Sequence, residues 1–167
     1  MRRLLLVVSL PVVSLLAAAC GEGGGGKGRV AFSQVEVQAY LEREVTRTLP
    51  ELEVGAATCP ATLPRRIGAT ATCTVVVERV PLDYEVQLLV ADRFEARPAR
   101  PVVVVRDVVA AVQEKLGSQA TSVRCGDATV AQPAPSRPLL CQVTGSGPAR
   151  TAAVRVGADG AITVTDA

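Results

Sequence analysis

The residues best suited to chemistry are four cysteines, Cys59, Cys73, Cys125 and Cys141. Four thiolates could bind zinc, but zinc knuckles normally place about two to four residues between paired cysteines. Here 13 and 15 residues separate the members of the two pairs, which favours disulfides. The lack of a C-x-x-C pair also disfavours redox activity. We predict Cys59–Cys73 and Cys125–Cys141 bonds, although four cysteines allow three connectivities and the two crossed pairings stay open.

A fifth cysteine, Cys20, follows a segment typical of export. Arg2 and Arg3 precede an apolar run from 4 to 16, and Ala17-Ala18-Ala19 provides small residues for cleavage. The run from 4 to 19 has 16 residues, fewer than the ~20 of a membrane-spanning helix. We therefore predict a cleaved signal peptide over residues 1–19. Export to an oxidising compartment also favours disulfides over zinc.

The cleavage site is compatible with two outcomes. An A-x-A site would release a soluble secreted protein, whereas the same residues look like a bacterial lipobox with Ala17 in place of the usual leucine. Four cysteines form two pairs, which leaves Cys20 without a partner, and a free exposed thiol is a liability after export. We predict that Cys20 carries a lipid and anchors the chain on the extracytoplasmic face of the cell membrane.

Residues 20–30 have the composition of a tether, because six of the eight residues from 21 to 28 are glycine. Glycine-rich segments behave as flexible coils and cannot build a packed core. We expect the folded part to sit close to the membrane and to reorient.

The rest of the chain repeats one pattern. Apolar residues spaced four apart run from Val37 to Leu49 and again from Val104 to Leu116. Each stripe is followed by a cysteine, a proline-containing loop, a second cysteine and alternating apolar residues. The repeat defines two tandem units, residues 31–98 and 101–167. We expect them to fold separately and to move relative to one another.

Each unit reads as one helix followed by three or four antiparallel strands, an α+β fold. Ser33 and Glu36 form a capping box, Pro50 stops the first helix, and Gly117 ends the second. Alternation predicts strands near 70–77, 84–90, 139–143 and 152–156, with turns at 80–83 and at 157–160. Units of about 67 residues are small and usually need such cross-links. A Cys59–Cys73 bond would close a loop of 15 residues and contribute about 3 kcal/mol.

The composition argues against most active sites. The chain has no histidine, and removing Arg2 and Arg3 leaves 16 basic (18 minus 2) against 16 acidic side chains. A neutral chain with almost no aromatic residues is not expected to bind nucleic acid. The polar side chains considered for catalysis or for contact with anions are better explained as solvated; they are Lys27, Arg65, Arg66, Asp83, Glu85, Asp92, Lys115 and Arg137. We predict no catalytic residue, metal or cofactor.

A family resemblance follows from the first unit. Its helix, Val54-x4-Cys59-Pro60, Gly68-x4-Cys73 and β-rich tail resemble the small cysteine-pair domain of actinobacterial envelope proteins catalogued as domain of unknown function 4333. The resemblance covers 31–95 and, more loosely, 101–167, where Gly126 replaces the proline. It implies a secreted or lipid-anchored, disulfide-bearing α+β domain, and it brings no activity or binding residues.

The sequence therefore predicts a non-catalytic envelope lipoprotein with a binding or structural role. An envelope protein or a cell-wall polymer is the expected partner besides the membrane. The alternative is a regulatory or assembly partner of a membrane or cell-wall enzyme.

Overall fold

The structure is a computed structural model and describes residues 31–90 and 93–166. The signal peptide, Cys20, the tether with Lys27, and Asp92 lie outside these residues. No helix in the described ranges is long and apolar enough to span a membrane.

The first helix, α1 (Gln34–Thr48), begins and ends where the sequence predicts. The Ser33 backbone N–H donates to the Glu36 carboxylate at 2.7 Å, and the Glu36 N–H donates back to the Ser33 hydroxyl, which confirms the capping box. Val37, Leu41 and Val45 face inward at helical spacing and are fully buried. The helix ends at the C-cap residue Leu49, because the next residue is Pro50 and proline cannot continue a helix.

The strands of the first unit form two sheets. The larger has the order β2-β4-β5-β6, and the smaller pairs β1 with β3. The strands are β1 (Ala31–Ser33), β2 (Val54–Thr58), β3 (Thr62–Pro64), β4 (Thr70–Val77), β5 (Val80–Val90) and β6 (Arg93–Pro98). Alternate residues of β4 and β5 are buried beneath α1, as the period-two pattern predicts.

The second unit repeats this topology. Its larger sheet has the order β12-β11-β10-β8 around helix α2 (Val105–Leu116), and its smaller sheet pairs β7 with β9. The strands are β7 (Val103–Val104), β8 (Ser122–Arg124), β9 (Val130–Ala131), β10 (Leu139–Thr144), β11 (Arg150–Val156) and β12 (Ile162–Asp166). The predicted α+β class with two tandem units is thus confirmed.

One predicted turn is wrong. Residues 80–83 belong to β5, and the chain reverses at Glu78 and Arg79, which have φ of 48° and 67°. Consecutive positive φ angles define the tight turn that matches strand twist, but neither residue is the usual glycine or asparagine. Pro81 has no backbone N–H to donate. It is tolerated in β5 because β6 pairs only with residues from Tyr84 onward, so no hydrogen bond to β6 is lost.

Each predicted disulfide staples neighbouring strands. Cys59 lies just after β2 and bonds Cys73 in β4, with the two Cα atoms 4.4 Å apart. Cys125 lies just after β8 and bonds Cys141 in β10, with the two Cα atoms 4.0 Å apart. All four residues are buried in the cores of their own units, where they pack as small apolar groups.

The two larger sheets are separate, but the units are in contact. Val130 of β9 is fully buried and packs in the first core, although it belongs to the second unit. Next to it, Gln132 donates to the Asp83 carbonyl oxygen at 2.8 Å and accepts from the Asp83 N–H at 2.9 Å. The amide also donates to the Arg100 carbonyl oxygen at 3.0 Å. These contacts join the two units, and the prediction that the units move relative to one another did not take them into account.

Candidate functional site

The cysteines considered first for chemistry serve as structural cross-links. All four are consumed in the two disulfides, so none is a free thiolate nucleophile or metal ligand. Within residues 31–90 and 93–166, no group of three or more histidine, cysteine, aspartate or glutamate side chains could hold a metal ion.

The candidate carboxylates lie on the outer face of β5. Asp83 accepts from the Thr74 hydroxyl at 3.0 Å and pairs with Arg100 at 3.3 Å, while Glu85 is exposed opposite Thr72. Lys115 is also exposed and occupies the last turn of α2, where a cation is favoured by the helix dipole. Glu85 and Lys115 therefore lie on solvated sheet and helix surfaces, whereas Asp83 is half-buried beside the contact between the units.

A different set of residues forms the most developed site on the first unit. Phe32, Tyr40 and Phe94 are three of only four aromatic residues in the chain, and they meet although they lie on β1, α1 and β6. The Phe32 and Phe94 ring centroids are 4.7 Å apart in an edge-to-face arrangement. The Tyr40 and Phe94 centroids are 5.2 Å apart. Such pairs stabilise beyond the area they bury, so the cluster fixes α1 against β6.

The aromatic cluster forms the floor of a cleft with a volume of about 560 Å³, here called the α1–β6 groove. One wall comes from the outer side of α1 and the other from the start of β6. The lining residues are Phe32, Val35, Glu36, Ala39, Tyr40, Arg43, Arg93 and Phe94. The groove therefore combines an apolar floor with two arginines and one glutamate.

The groove contains an exposed apolar residue, Val35, and two arginines, Arg43 and Arg93, that form no ion pair within the described fold. Val35 is 71% exposed, the highest value among the large exposed apolar residues of the described chain. Arg43 and Arg93 are exposed and make no side-chain hydrogen bond or ion pair with another described residue. The Arg65 guanidinium carbon lies 4.1 Å from the centre of the Phe32 ring, a cation–π contact. Arg43 and Arg93, beside this apolar floor, suit a ligand that is both anionic and apolar.

The Tyr40 hydroxyl closes the sheet edge that forms one wall. It donates to the Phe94 carbonyl oxygen at 2.9 Å, and β6 is the last strand of its sheet. Burial and the nearby Glu44 carboxylate raise the pKa of Tyr40, while the Ala96 backbone amide opposes this by favouring the phenolate. Tyr40 thus covers edge groups that would otherwise pair with another strand.

The opposite edge of the same sheet is closed by the same helix. Glu42 accepts a hydrogen bond from the Ala57 N–H of β2 at 2.7 Å, and Gln34 donates to the Cys59 carbonyl oxygen at 3.0 Å. Both edges are therefore partly covered by α1 side chains. Ligand recognition by addition of a β-strand is disfavoured in this unit, and contact through side chains in the groove is favoured.

The sequence pattern signalled only part of this groove. Phe32 and Tyr40 are expected from the helix start and from the apolar stripe, and Arg65 and Arg66 from the loop between the cysteines. Phe94 carries no local signal, because its contact with Tyr40 joins positions 54 residues apart. Among the predicted candidates, the structure brings Arg65 to the groove and leaves Arg137 in the loop of the second unit.

In comparisons with protein families, with curated proteins and with solved structures, the chain matched none of them. The resemblance to the cysteine-pair envelope domain therefore stays a prediction from the residues quoted above.

Proposed function

We propose that this chain is an envelope lipoprotein, anchored through Cys20 on the extracytoplasmic face of the cell membrane, with a non-catalytic binding module as its folded part. Two observations support the anchor. The signal-like segment precedes Cys20 directly, and the two disulfides use the other four cysteines, which leaves Cys20 unpaired within the chain. Lipidation gives such a residue a function.

The α1–β6 groove carries the binding proposal. Its floor is fixed by packed aromatic rings, while Val35, Arg43 and Arg93 project from its walls with no structural partner among the described residues. Exposed apolar area beside uncommitted charge is a mark of an interaction surface. The groove offers no paired nucleophile and base, because Glu36 is engaged in capping α1. Binding is the function that this chemistry supports best.

The anchor is tested by fractionating cells that express Cys20→Ala beside a Gly21→Ser control. We expect the control to stay with the membrane and to carry an N-terminal acylated cysteine detectable by mass spectrometry. Cys20→Ala should leave the membrane fraction or accumulate as unprocessed precursor. If processed Cys20→Ala is retained as firmly as the control, the anchor proposal fails.

The binding role is tested by cross-linking in cells and recovering what remains attached. Val35→Asp changes the groove, and Leu140→Asp is the matched control, since Leu140 is 58% exposed on the second unit. We expect Val35→Asp alone to reduce recovery of an envelope component. Recovery of one enzyme in stoichiometric amount would favour the alternative, a regulatory or assembly partner. Equal recovery with both variants would rule out the groove as the binding site.

A further inference from the structure

The α1–β6 groove continues into a loop that adds both charge and apolar area. The smaller sheet pairs Ala31 with Pro64 and Phe32 with Leu63, so the loop after β3 lies beside the start of β1. This loop contains Arg65, which packs on Phe32, and Ile67, whose side chain is 69% exposed. Val35, Arg43 and Arg93 line the groove, Arg65 lies on its Phe32 ring, and the loop of Arg65 also exposes Arg66 and Ile67. These six residues are here called the arginine–apolar face.

This face combines the two contributions that hold a peripheral surface on an anionic bilayer. Val35 and Ile67 are the two most exposed of the large apolar side chains in the described residues. Four arginines accompany them, against the groove carboxylate of Glu36. Glu44 and Glu95 also lie near Tyr40, but each pairs with an arginine outside the face, Arg47 and Arg97. Apolar side chains can enter the headgroup region, and arginines are attracted to anionic headgroups.

The described part of the chain starts beside the same face. The first described strand, β1, starts at Ala31, and its next residue, Phe32, lines the groove. Residues 20–30 precede it, and a chain with the glycine-rich composition predicted to form the tether would have a root-mean-square length of roughly 18 Å. A lipid on Cys20 would therefore hold the start of β1, and the surface beside it, at about that average distance from the bilayer. This step rests on the proposed anchor.

We infer that the arginine–apolar face docks on the anionic phospholipid surface of the membrane that holds the anchor, with Val35 and Ile67 entering the headgroup region. The tether then acts as a second attachment that raises the local concentration of the face at the bilayer. Docking fixes the orientation of the first unit, so the protein does not tumble freely at the end of its tether.

The test uses the full lipidated chain reconstituted into vesicles of phosphatidylcholine, with or without phosphatidylglycerol. The chain has no tryptophan, so Val35→Trp introduces a single fluorescent reporter on the face. Leu140→Trp places the same reporter on the second unit as a control. With brominated phospholipids in the bilayer, we expect Val35→Trp to be quenched in the anionic vesicles and Leu140→Trp to stay bright.

Charge is tested in the Val35→Trp background. Removing Arg43 and Arg93 together by substitution with glutamine should lower the ratio of docked to free protein by roughly 25-fold, at about fivefold for each arginine. The matched control changes Arg124 and Arg137 to glutamine, because both are exposed on the second unit. All four substituted positions are exposed, and unchanged circular dichroism melting would show that the variants fold.

The outcomes separate this inference from the proposed anchor. Protein that fails to float with the vesicles contradicts the anchor itself. Protein that floats while Val35→Trp stays unquenched contradicts the docked face and leaves the anchor intact. Equal quenching in zwitterionic vesicles, or an equal loss with the control arginines, removes the role of charge. Quenching lost on adding soluble anionic wall polymer would assign the face to that polymer instead.

Discussion

The two units share one topology but differ in what they add to it. Both have a helix over a four-stranded sheet, a small two-stranded sheet and one disulfide between corresponding strands. The first unit holds all four aromatic residues of the chain and both capped sheet edges, and residues 101–167 contain no aromatic residue. The fold therefore depends on the shared pattern of valines and cysteines, whereas the groove depends on residues that only one copy has.

Their cores also differ in size. Among the described residues, the first hydrophobic cluster contains 17 buried residues, one of them Val130 of the second unit, and the second cluster contains ten. Since apolar burial is the main source of folding free energy, the second unit has less stability of its own. It depends more on its disulfide and on its contact with the first unit.

Removing one disulfide at a time should give the largest effect. Cys59→Ala with Cys73→Ala, and Cys125→Ala with Cys141→Ala, should each cost about 3 kcal/mol, since the closed loops are similar in length. Removing the second disulfide should leave the second unit, which has the smaller core, unfolded while the first unit stays folded. Hydrogen exchange measured by mass spectrometry would report β4 and β10 separately. Equal loss of protection in both units for either variant would contradict the difference in stability.

Breaking the contact between the units should give the next largest effect. Gln132→Ala leaves the Asp83 N–H and carbonyl oxygen without their partner, at a cost of about 2 kcal/mol. We expect urea unfolding to change from one transition to two, with the second unit unfolding first. Gln142→Ala is the control, because Gln142 is exposed on β10. A single unchanged transition for Gln132→Ala would show that the contact does not couple the units.

Much of this architecture could be predicted from the sequence, and the exceptions have physical causes. The helices, the disulfides and most strands follow from local periodicity and from the repeat. The turn at Glu78 and Arg79 was missed because these residues adopt positive φ without a glycine or asparagine signal. Gln132 and Phe94 gain their roles only through contacts with distant segments, and no short window of sequence contains both partners.

The hydrogen bond by which Tyr40 caps the edge of β6 belongs to the first unit and can be removed by deleting the hydroxyl oxygen of Tyr40. Tyr40→Phe deletes the hydrogen bond to the Phe94 carbonyl oxygen and should cost about 1 kcal/mol in urea unfolding. It should also promote self-association through the uncovered edge of β6, seen by analytical ultracentrifugation. Tyr84→Phe is the matched control, because its hydroxyl makes no hydrogen bond with another described residue. The same behaviour in both variants would remove the capping role.

Alkaline pH should affect the stability of the two units differently without any substitution. Burial, and then the Glu44 carboxylate, raise the pKa of both Tyr40 and Tyr84 above the ordinary value of 10.0. A group whose pKa is raised on folding contributes stability that is fully present below the unfolded pKa and is lost as the pH rises through the folded pKa. The first unit should therefore lose stability above about pH 10, while the second unit has no tyrosine to titrate.

This last difference should be the smallest for Tyr40, which is only partly buried so that solvent screens its interactions, and larger for Tyr84, which is buried. Ultraviolet absorbance of the phenolate, followed with pH in the folded chain and in urea, measures the two pKa values of each tyrosine. Tyr40→Phe and Tyr84→Phe assign them. Equal pKa values in the folded and unfolded chains would contradict burial as the cause. A selective loss of the first unit that Tyr40→Phe and Tyr84→Phe abolish would show that the two tyrosines stabilise this unit, and Tyr40 also lines its groove.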